Sequence, residues 1–314
     1  MEDLVLIFEN SKCTDNKLTG GKGASLAKMY QYGIPIPQGF VVTTRAFEKF
    51  LSTNELEKVI SSSLEKVTVS NLDGINKASE RIQAAITKGS IADKLKNEIL
   101  TQYDTLNLNL VAVRSSATSE DSDTDSWAGE LETYLNTTKE DLIDNIKKCW
   151  ASLYSPRAIT YALERKIKPK DGAVAVVVQE MVQSDISGIC FTVHPISMQK
   201  NIMLIEAVYG LGEGIVSGQL TPDSYEYNKE YDVVLRVDIA EQDRKLALPK
   251  DLKGLEWEEI EEEYSQKLDY RRIQELARIC TTVESFYDKP QDIEWAYRDN
   301  TFYITQSRPI TTIE

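Results

Sequence analysis

The sequence predicts an α+β chain of two lobes, a helix-rich N-terminal lobe over residues 1–180 and a strand-rich C-terminal lobe over residues 181–314. Three observations carry this expectation. The length of 314 residues suits one large domain or two medium ones. Apolar residues recur at helical spacing over residues 45–103, whereas short apolar runs of strand length fill the chain after Ala173. The change of character falls near residues 170–185, which predicts two layers of different kind with a cleft between them.

Residues 4–8 read as a first strand. Gly20, Gly21, Lys22 and Gly23 form a glycine-rich turn. Ala24, Leu26, Ala27 and Tyr30 then follow at helical spacing, and Gly33 supplies a stop. Residues 34–37 hold two prolines and cannot be helix interior, because proline lacks the N–H and clashes with the preceding turn. Residues 39–43 read as a strand. The helical stretch over 45–103 breaks near Asn54, Asn71 and Gly89. Residues 110–113 predict a strand, and the polar run 118–126 a solvated loop. Thr138 and Asp141 have capping-box spacing, and Leu142, Ile146, Cys149, Trp150 and Leu153 mark one helix face. Further strands are expected at 174–181, 186–193, 202–208, 224–227 and 233–239. The acidic cluster over 256–263 reads as a solvated face. Ile273, Leu276, Cys280, Val283 and Tyr287 mark a late helix, and 293–297 with 302–307 a closing hairpin.

Composition removes several function classes. Lys and Arg number 36 against 50 Asp and Glu, so the formal net charge is -14. That balance opposes broad electrostatic binding to nucleic acid or anionic membranes, but leaves room for a small anion held by a few local cations. The single histidine, His194, rules out multi-histidine metal sites and leaves every Ser-His-Asp or Cys-His scheme resting on one residue. It ends a strand before Pro195, where a lone histidine is more often structural than catalytic. Cys13, Cys149, Cys190 and Cys280 form no C-x-x-C pair and read as reduced, buried thiols. The acidic N-terminus lacks the form of a signal peptide, and the apolar run 173–178 is far short of a membrane span. A soluble, cytoplasmic protein is expected.

Five stretches could carry chemistry. Gly20 to Ser25 (GGKGAS) would let backbone N–H groups approach a phosphate at a helix N-terminus, with Lys22 as a point charge. A Gly follows the lysine, so the stretch is not a Walker A loop, and a tight turn before a helix explains it equally well. In Val113-Arg114-Ser115-Ser116-Ala117-Thr118 a strand ends in an arginine beside hydroxyls, which suits phosphate recognition. A surface arginine beside a turn is the competing reading. Trp127-Ala128-Gly129-Glu130 leads to Thr133, where Gly129 could admit a ligand and Thr133 offer a hydroxyl, or the stretch could simply start a strand. Val178-Gln179-Glu180-Met181-Val182, at the change of lobe, could read an adenine edge with its backbone or be a plain buried strand.

The fifth stretch is the closing hairpin. Alternate strand residues share a face, so Asp292 and Glu294 point one way, as do Gln306 and Arg308. A three-residue loop over 299–301 would pair Arg298 with Phe302, and set Glu294 opposite Gln306 and Asp292 opposite Arg308. Oxygen donors there suit magnesium and the arginine suits phosphate. A two-residue turn at Asp299-Asn300 is expected to shift the register by one and break the row. A solvent-exposed polar face is the alternative.

The ordered set GGKGASL, VRSSAT, SWAGELETYLN, QEMV, SGICFTVHP, GLGEGIVSG and DIEWAY…QSRPIT resembles the nucleotide-binding domain of the phosphoenolpyruvate-utilising dikinases. That group includes phosphoenolpyruvate synthase, pyruvate phosphate dikinase and rifampicin phosphotransferase. The motifs run from residue 20 to residue 310. The resemblance implies an ATP-grasp-like fold with ATP between two lobes. It implies that Lys22, Arg114 and Arg308 act on the phosphates as catalytic cations, with Gly129 and Thr133 beside them. Gln179, Glu180, Met181 and Val182 would hold adenine, and Glu294 and Gln306 would hold Mg2+ with Asp292 near.

The family reaction turns ATP, water and an acceptor into AMP, phosphate and phosphorylated acceptor, through a phosphohistidine on a swivelling domain that serves a separate acceptor-binding domain. Neither partner domain has residues in this sequence, and His194 does not match the phosphohistidine motif. The expectation is the nucleotide half alone, an excised domain, a split subunit or a stand-alone relative, with its partners in cis or in trans and with pyruvate or a rifampicin-like acceptor. A nucleotide-sensing module that binds ATP or AMP without turnover is the alternative. An ATP-grasp ligase that makes an acyl phosphate is a weaker third reading.

Overall fold

The computed structural model describes residues 2–118, 132–165, 173–249, 254–261 and 263–311. It is a mixed structure with antiparallel sheets, as the α+β expectation requires. The chain divides into two compact units, one of residues 1–28 and 38–181, the other of residues 29–37 and 182–314. The path therefore crosses between units three times, because 29–37 belongs with the later residues. There the Ile304 N–H donates to the Pro35 carbonyl at 2.8 Å.

The first unit is a five-stranded sheet under a helical layer. Its strands are β1 (Val5–Ile7), β2 (Gly39–Val42), β3 (Val111–Ala117), β4 (Thr133–Thr137) and β5 (Val174–Glu180), in the order β1-β2-β5-β3-β4. Alternation gives each strand two faces. Phe40, Val42, Val111, Val113, Val174, Val176 and Val178 form a core with α2 (Thr44–Thr53), α3 (Leu56–Leu64), α4 (Leu72–Lys88), α5 (Asp93–Thr105), α6 (Leu142–Ser152) and α7 (Pro156–Glu164). Helix breaks fall where the sequence places them. Asn71 caps α4 through the Gly74 N–H at 2.9 Å. Ser155 caps α7 ahead of a proline in its first turn. The capping box does not form. Here α6 starts at Leu142, and the Thr138 hydroxyl bonds the Asp141 carboxylate at 3.1 Å instead of a backbone N–H.

Helix α1 (Asn16–Tyr32) carries a break at Gly20, where φ is 70° and ψ 174°. It stops at Gly33, whose φ of 90° only glycine adopts readily, and the Ile34 N–H closes the end on the Met29 carbonyl.

The second unit is a six-stranded antiparallel sheet of β6 (Ile186–Phe191), β7 (Ile202–Tyr209), β8 (Asp223–Asn228), β9 (Val233–Asp238), β12 (Gln291–Arg298) and β13 (Thr301–Pro309). Its order is β13-β12-β6-β7-β8-β9. Cys190, Ile205, Tyr225 and Ile293 are buried, as are Ile273, Leu276, Cys280 and Val283 of α9 (Tyr270–Tyr287). A short helix, α8 (Glu213–Val216), follows β7. The acidic cluster holds a strand the sequence did not reveal. β11 (Glu256–Glu259) pairs with β10 (Arg244–Ala247), and all four β11 residues are exposed, so no alternation marks it. All four cysteines are free and buried.

Candidate functional site

In the first unit, the sheet face turned away from the helical layer carries Arg114 and Ser116 of β3 and Val177 and Gln179 of β5. Strand pairing sets Arg114 opposite Val177 and, on its other side, opposite Thr133 of β4. Arg114 is buried to 8% exposure, and its guanidinium donates to the Gln179 Oε1 at 3.4 Å, a long bond. The Gln179 Nε2 is buried without a protein acceptor among the described residues. Thr133 stands exposed at the edge of this group.

The glycine-rich turn docks here too. The Ser116 hydroxyl accepts from the Gly23 N–H at 3.0 Å and donates to the Thr19 carbonyl at 2.8 Å. Half-buried Lys22 donates through Nζ to the Ser115 carbonyl at 3.3 Å. A Cβ on Gly20 would stand 2.2 Å from the Ser116 carbonyl oxygen, so glycine is required by both conformation and space. The structure thus joins two motifs that lie 93 residues apart. Ser116 has a partnering role that the sequence reading did not assign, because that role depends on a sheet order no local pattern shows. One expectation needs adjusting. The Gly23 N–H, counted among donors for an anion, is already taken by Ser116.

The stretch expected to hold adenine, residues 179–182, starts on β5. The Glu180 N–H donates to the Gln38 carbonyl and the Met181 N–H to the Leu110 carbonyl, both at 2.9 Å. In the second unit, the Val182 carbonyl accepts from the Ser184 N–H at 3.0 Å. Gly129 and the rest of 119–131 lie outside the described residues.

The hairpin of the second unit has the expected row by an unexpected route. Its turn is the two-residue Asp299-Asn300, with φ of 50° and 58°, and Arg298 pairs with Thr301. That corrects the three-residue loop. The row survives because a bulge sits where Trp295 pairs with Ile304 and Glu294 with Gln306, leaving Thr305 as the extra residue. Asp292 stays opposite Arg308. The Gln306 Nε2 donates to the Glu294 Oε1 at 3.2 Å, and the Arg308 Nε to the Asp292 Oδ2 at 2.8 Å.

Register carries the row across the sheet. Glu294 lies opposite Ile189 of β6, and Ile189 opposite Glu206 of β7. Burial first, then the Asp292 carboxylate, pushes the Glu206 carboxyl above the usual range. Glu206 escaped the sequence reading, although a lone acid within the apolar run of β7 was a signal for it. Among the described residues, no three His, Cys, Asp or Glu side chains gather closely enough to hold a metal by themselves. A cation here would need the Gln306 amide oxygen beside Glu294, with Asp292 already paired to Arg308. Half-buried oxygen donors of this kind fit a hard divalent cation.

His194 follows β6. Its Nδ1 accepts from the Ile196 N–H at 3.3 Å and the Ser197 N–H at 3.1 Å, and its Nε2 lies 4.0 Å from the Glu226 carboxylate. It braces a turn. Among the described residues, no helix is long and apolar enough to cross a membrane.

Comparison with known proteins shows the family. Residues 16–314 match the family described as pyruvate phosphate dikinase, AMP/ATP-binding domain. A probable phosphoenolpyruvate synthase of Archaeoglobus fulgidus is 41% identical over 306 residues, covering 95% of this chain and 40% of the relative. A rifampicin phosphotransferase of Bacillus cereus is 37% identical over 321 residues, covering 100% of this chain and 36% of the relative. A phosphoenolpyruvate synthase of Pyrococcus furiosus is 34% identical over 360 residues, with 98% of this chain and 44% of the relative covered. The chain therefore spans less than half the length of each of these three relatives. With almost its whole length matched, this chain belongs to the pyruvate phosphate dikinase AMP/ATP-binding domain family.

Proposed function

We propose that the chain is the ATP-binding part of a cytoplasmic dikinase-type phosphotransferase, with an ATP-grasp-like arrangement that holds the nucleotide between two lobes. The observation that carries this reading is the convergence in the first unit. Lys22, Arg114, Thr133 and Gln179 meet around one sheet face, two cations beside a hydroxyl and an amide donor with no acceptor among the described residues. Such donors match phosphate oxygens, whose charge must be neutralised as it moves in transfer. Adenine would lie against the stretch 179–182. Glu180 and Met181 already donate their N–H groups, so the backbone donor to the base falls to Val182. Gly129 belongs to the same proposal on resemblance alone.

In the second unit Glu294 and Gln306 would hold Mg2+, with Asp292 near and Arg308 reaching a phosphate. Bound magnesium would supply charge to the phosphate oxygens. The residues of this chain orient the polyphosphate and neutralise it, and positioning supplies most of the acceleration. The overall reaction would convert ATP, water and acceptor to AMP, phosphate and phosphorylated acceptor. A phosphohistidine swivelling domain and an acceptor-binding domain would act in cis in a longer protein or in trans, with pyruvate or a rifampicin-like molecule as acceptor.

The test is calorimetric titration with ATP, with and without magnesium, followed by product analysis after adding a histidine domain from a relative. The reading expects magnesium-dependent binding, then AMP and phosphate. Equal affinity in both titrations would remove the metal role of Glu294 and Gln306. Binding with no product would favour a nucleotide-sensing module, and ADP would point to ligase chemistry.

A further inference from the structure

We infer that Ser116 is a positioning residue, and that its hydroxyl sets where Lys22 stands. The inference rests on the reading of Lys22 as a phosphate contact. In an unbroken α-helix the Gly23 N–H would donate to the Thr19 carbonyl, four residues earlier. In α1 that bond is open, because Gly20 leaves helical geometry at φ 70° and ψ 174°. The Ser116 Oγ stands in the gap. It accepts from the Gly23 N–H at 3.0 Å and donates to the Thr19 carbonyl at 2.8 Å, replacing one helical bond by two across the chain. Thr19 and Ser116 are both 0% exposed, so without the hydroxyl the pair of backbone groups would lose their partners away from water.

Lys22 lies between these two anchored groups, and its Nζ reaches the Ser115 carbonyl at 3.3 Å. The hydroxyl thus fixes the rotation of the helix that carries Lys22, whose Nζ meets β3 at Ser115, the residue after Arg114. Removing it lets the Gly23 N–H turn back toward the Thr19 carbonyl. The helix then rewinds at Gly20 and carries Lys22 off β3. Ser116 need not touch a ligand to act this way.

The experiment compares Ser116→Ala, Lys22→Ala and the double variant of the full chain. Dissociation constants are measured for ATP with magnesium and for adenosine, which has no phosphate. Ser116→Ala should weaken ATP binding about ten-fold, the size of one well-placed hydrogen bond. It should leave adenosine affinity unchanged and add nothing in the Lys22→Ala background, since coupled residues are not additive. Ser116→Cys keeps the packing with weaker hydrogen bonds, and it is read in the same way if Ser116→Ala melts below the assay temperature. Parallel loss of ATP and adenosine affinity, or full additivity with Lys22→Ala, overturns the inference. So does ATP affinity that is untouched by either Ser116 change while Lys22→Ala weakens it. If Lys22→Ala itself leaves ATP affinity unchanged, the phosphate role of Lys22 falls, and this inference falls with it.

Discussion

Replacing Arg114 by alanine tests the phosphate reading at its most buried cation. Arg114 is 8% exposed and stands opposite Thr133, with the Gln179 Oε1 as an acceptor for its guanidinium at 3.4 Å. A charge-assisted bond from such a group to a phosphate oxygen contributes about 1.5–3 kcal/mol. Its loss should therefore raise the ATP dissociation constant by about 10- to 150-fold. The same change has a cost in the free protein. The Gln179 Nε2 already has no acceptor among the described residues, and Gln179 would lose its donor at Oε1 as well. A buried amide left that way costs about 1–3 kcal/mol, so melting curves must show that each variant is folded at the titration temperature. Arg165→Ala is the charge control. Arg165 is exposed at the end of α7, with its guanidinium 5.6 Å from the Tyr161 ring centre. Arg114→Lys should fall between, because a lysine keeps the charge and loses the fork of donors. Calorimetry with ATP and magnesium reads all three. Arg114→Ala binding ATP within about two-fold of Arg165→Ala would show that the arginine is structural.

Three further outcomes are expected. Gly20→Ala should destabilise the chain well beyond an ordinary surface change, because its Cβ would lie 2.2 Å from a backbone oxygen and φ is 70°; a melting temperature equal to that of the parent would refute the interlocked turn. Asp232→Asn should lower the melting temperature at neutral pH. The Tyr227 hydroxyl, then Arg278, holds the Asp232 carboxyl below its ordinary 3.8, so its stabilisation is present above that value and lost as pH falls through the lowered one. Asparagine tolerates the local φ of 55°, so a deficit that stays constant into acid would mean the charge is irrelevant. His194→Asn should leave any ATP turnover by the chain unchanged, since the histidine Nδ1 is committed to two backbone N–H groups. Acid-labile phosphate on the parent chain that is absent from the variant would make His194 a phosphoryl carrier.

Much of the element order was legible because burial writes its period into the chain. Apolar runs of strand length in β5 and β7, and the three- and four-residue spacing in α6 and α9, each report burial. β11 writes no such signal, with all four residues exposed and three of them glutamates, which is why it read as an acidic surface. The residue types of the site were legible as well, as glycines before a lysine and as an arginine before hydroxyls. Their meeting was not. The order β1-β2-β5-β3-β4 puts β5 beside both β2 and β3, and only that order sets Gln179 next to Arg114. The Ser116 bridge depends on the same placement. Sequence spacing constrains neighbours along a strand or helix, and these are neighbours across a sheet.

The hairpin shows how a wrong local step can still end at the right pairing. Asp299 and Asn300 tolerate positive φ, and a two-residue turn of that kind matches the twist of paired strands. Continued regularly, it would set Glu294 against Thr305 and turn Gln306 to the other face. Two buried groups prevent that. On the turn side, Phe302 packs against Trp295 and Tyr297 with ring centres 5.7 and 4.6 Å apart, which holds Ile304 opposite Trp295. On the far side, the buried Ser307 hydroxyl donates to the Gln291 Oε1 at 2.8 Å, and the Gln291 N–H donates to the Thr192 hydroxyl of the neighbouring segment. Each group fixes its own register, and the registers differ by one residue. The bulge at Thr305 absorbs the difference, as a single extra residue in an antiparallel ladder does. The polar row is therefore held by burial at its far end rather than by the turn, so turn chemistry alone could not have located it.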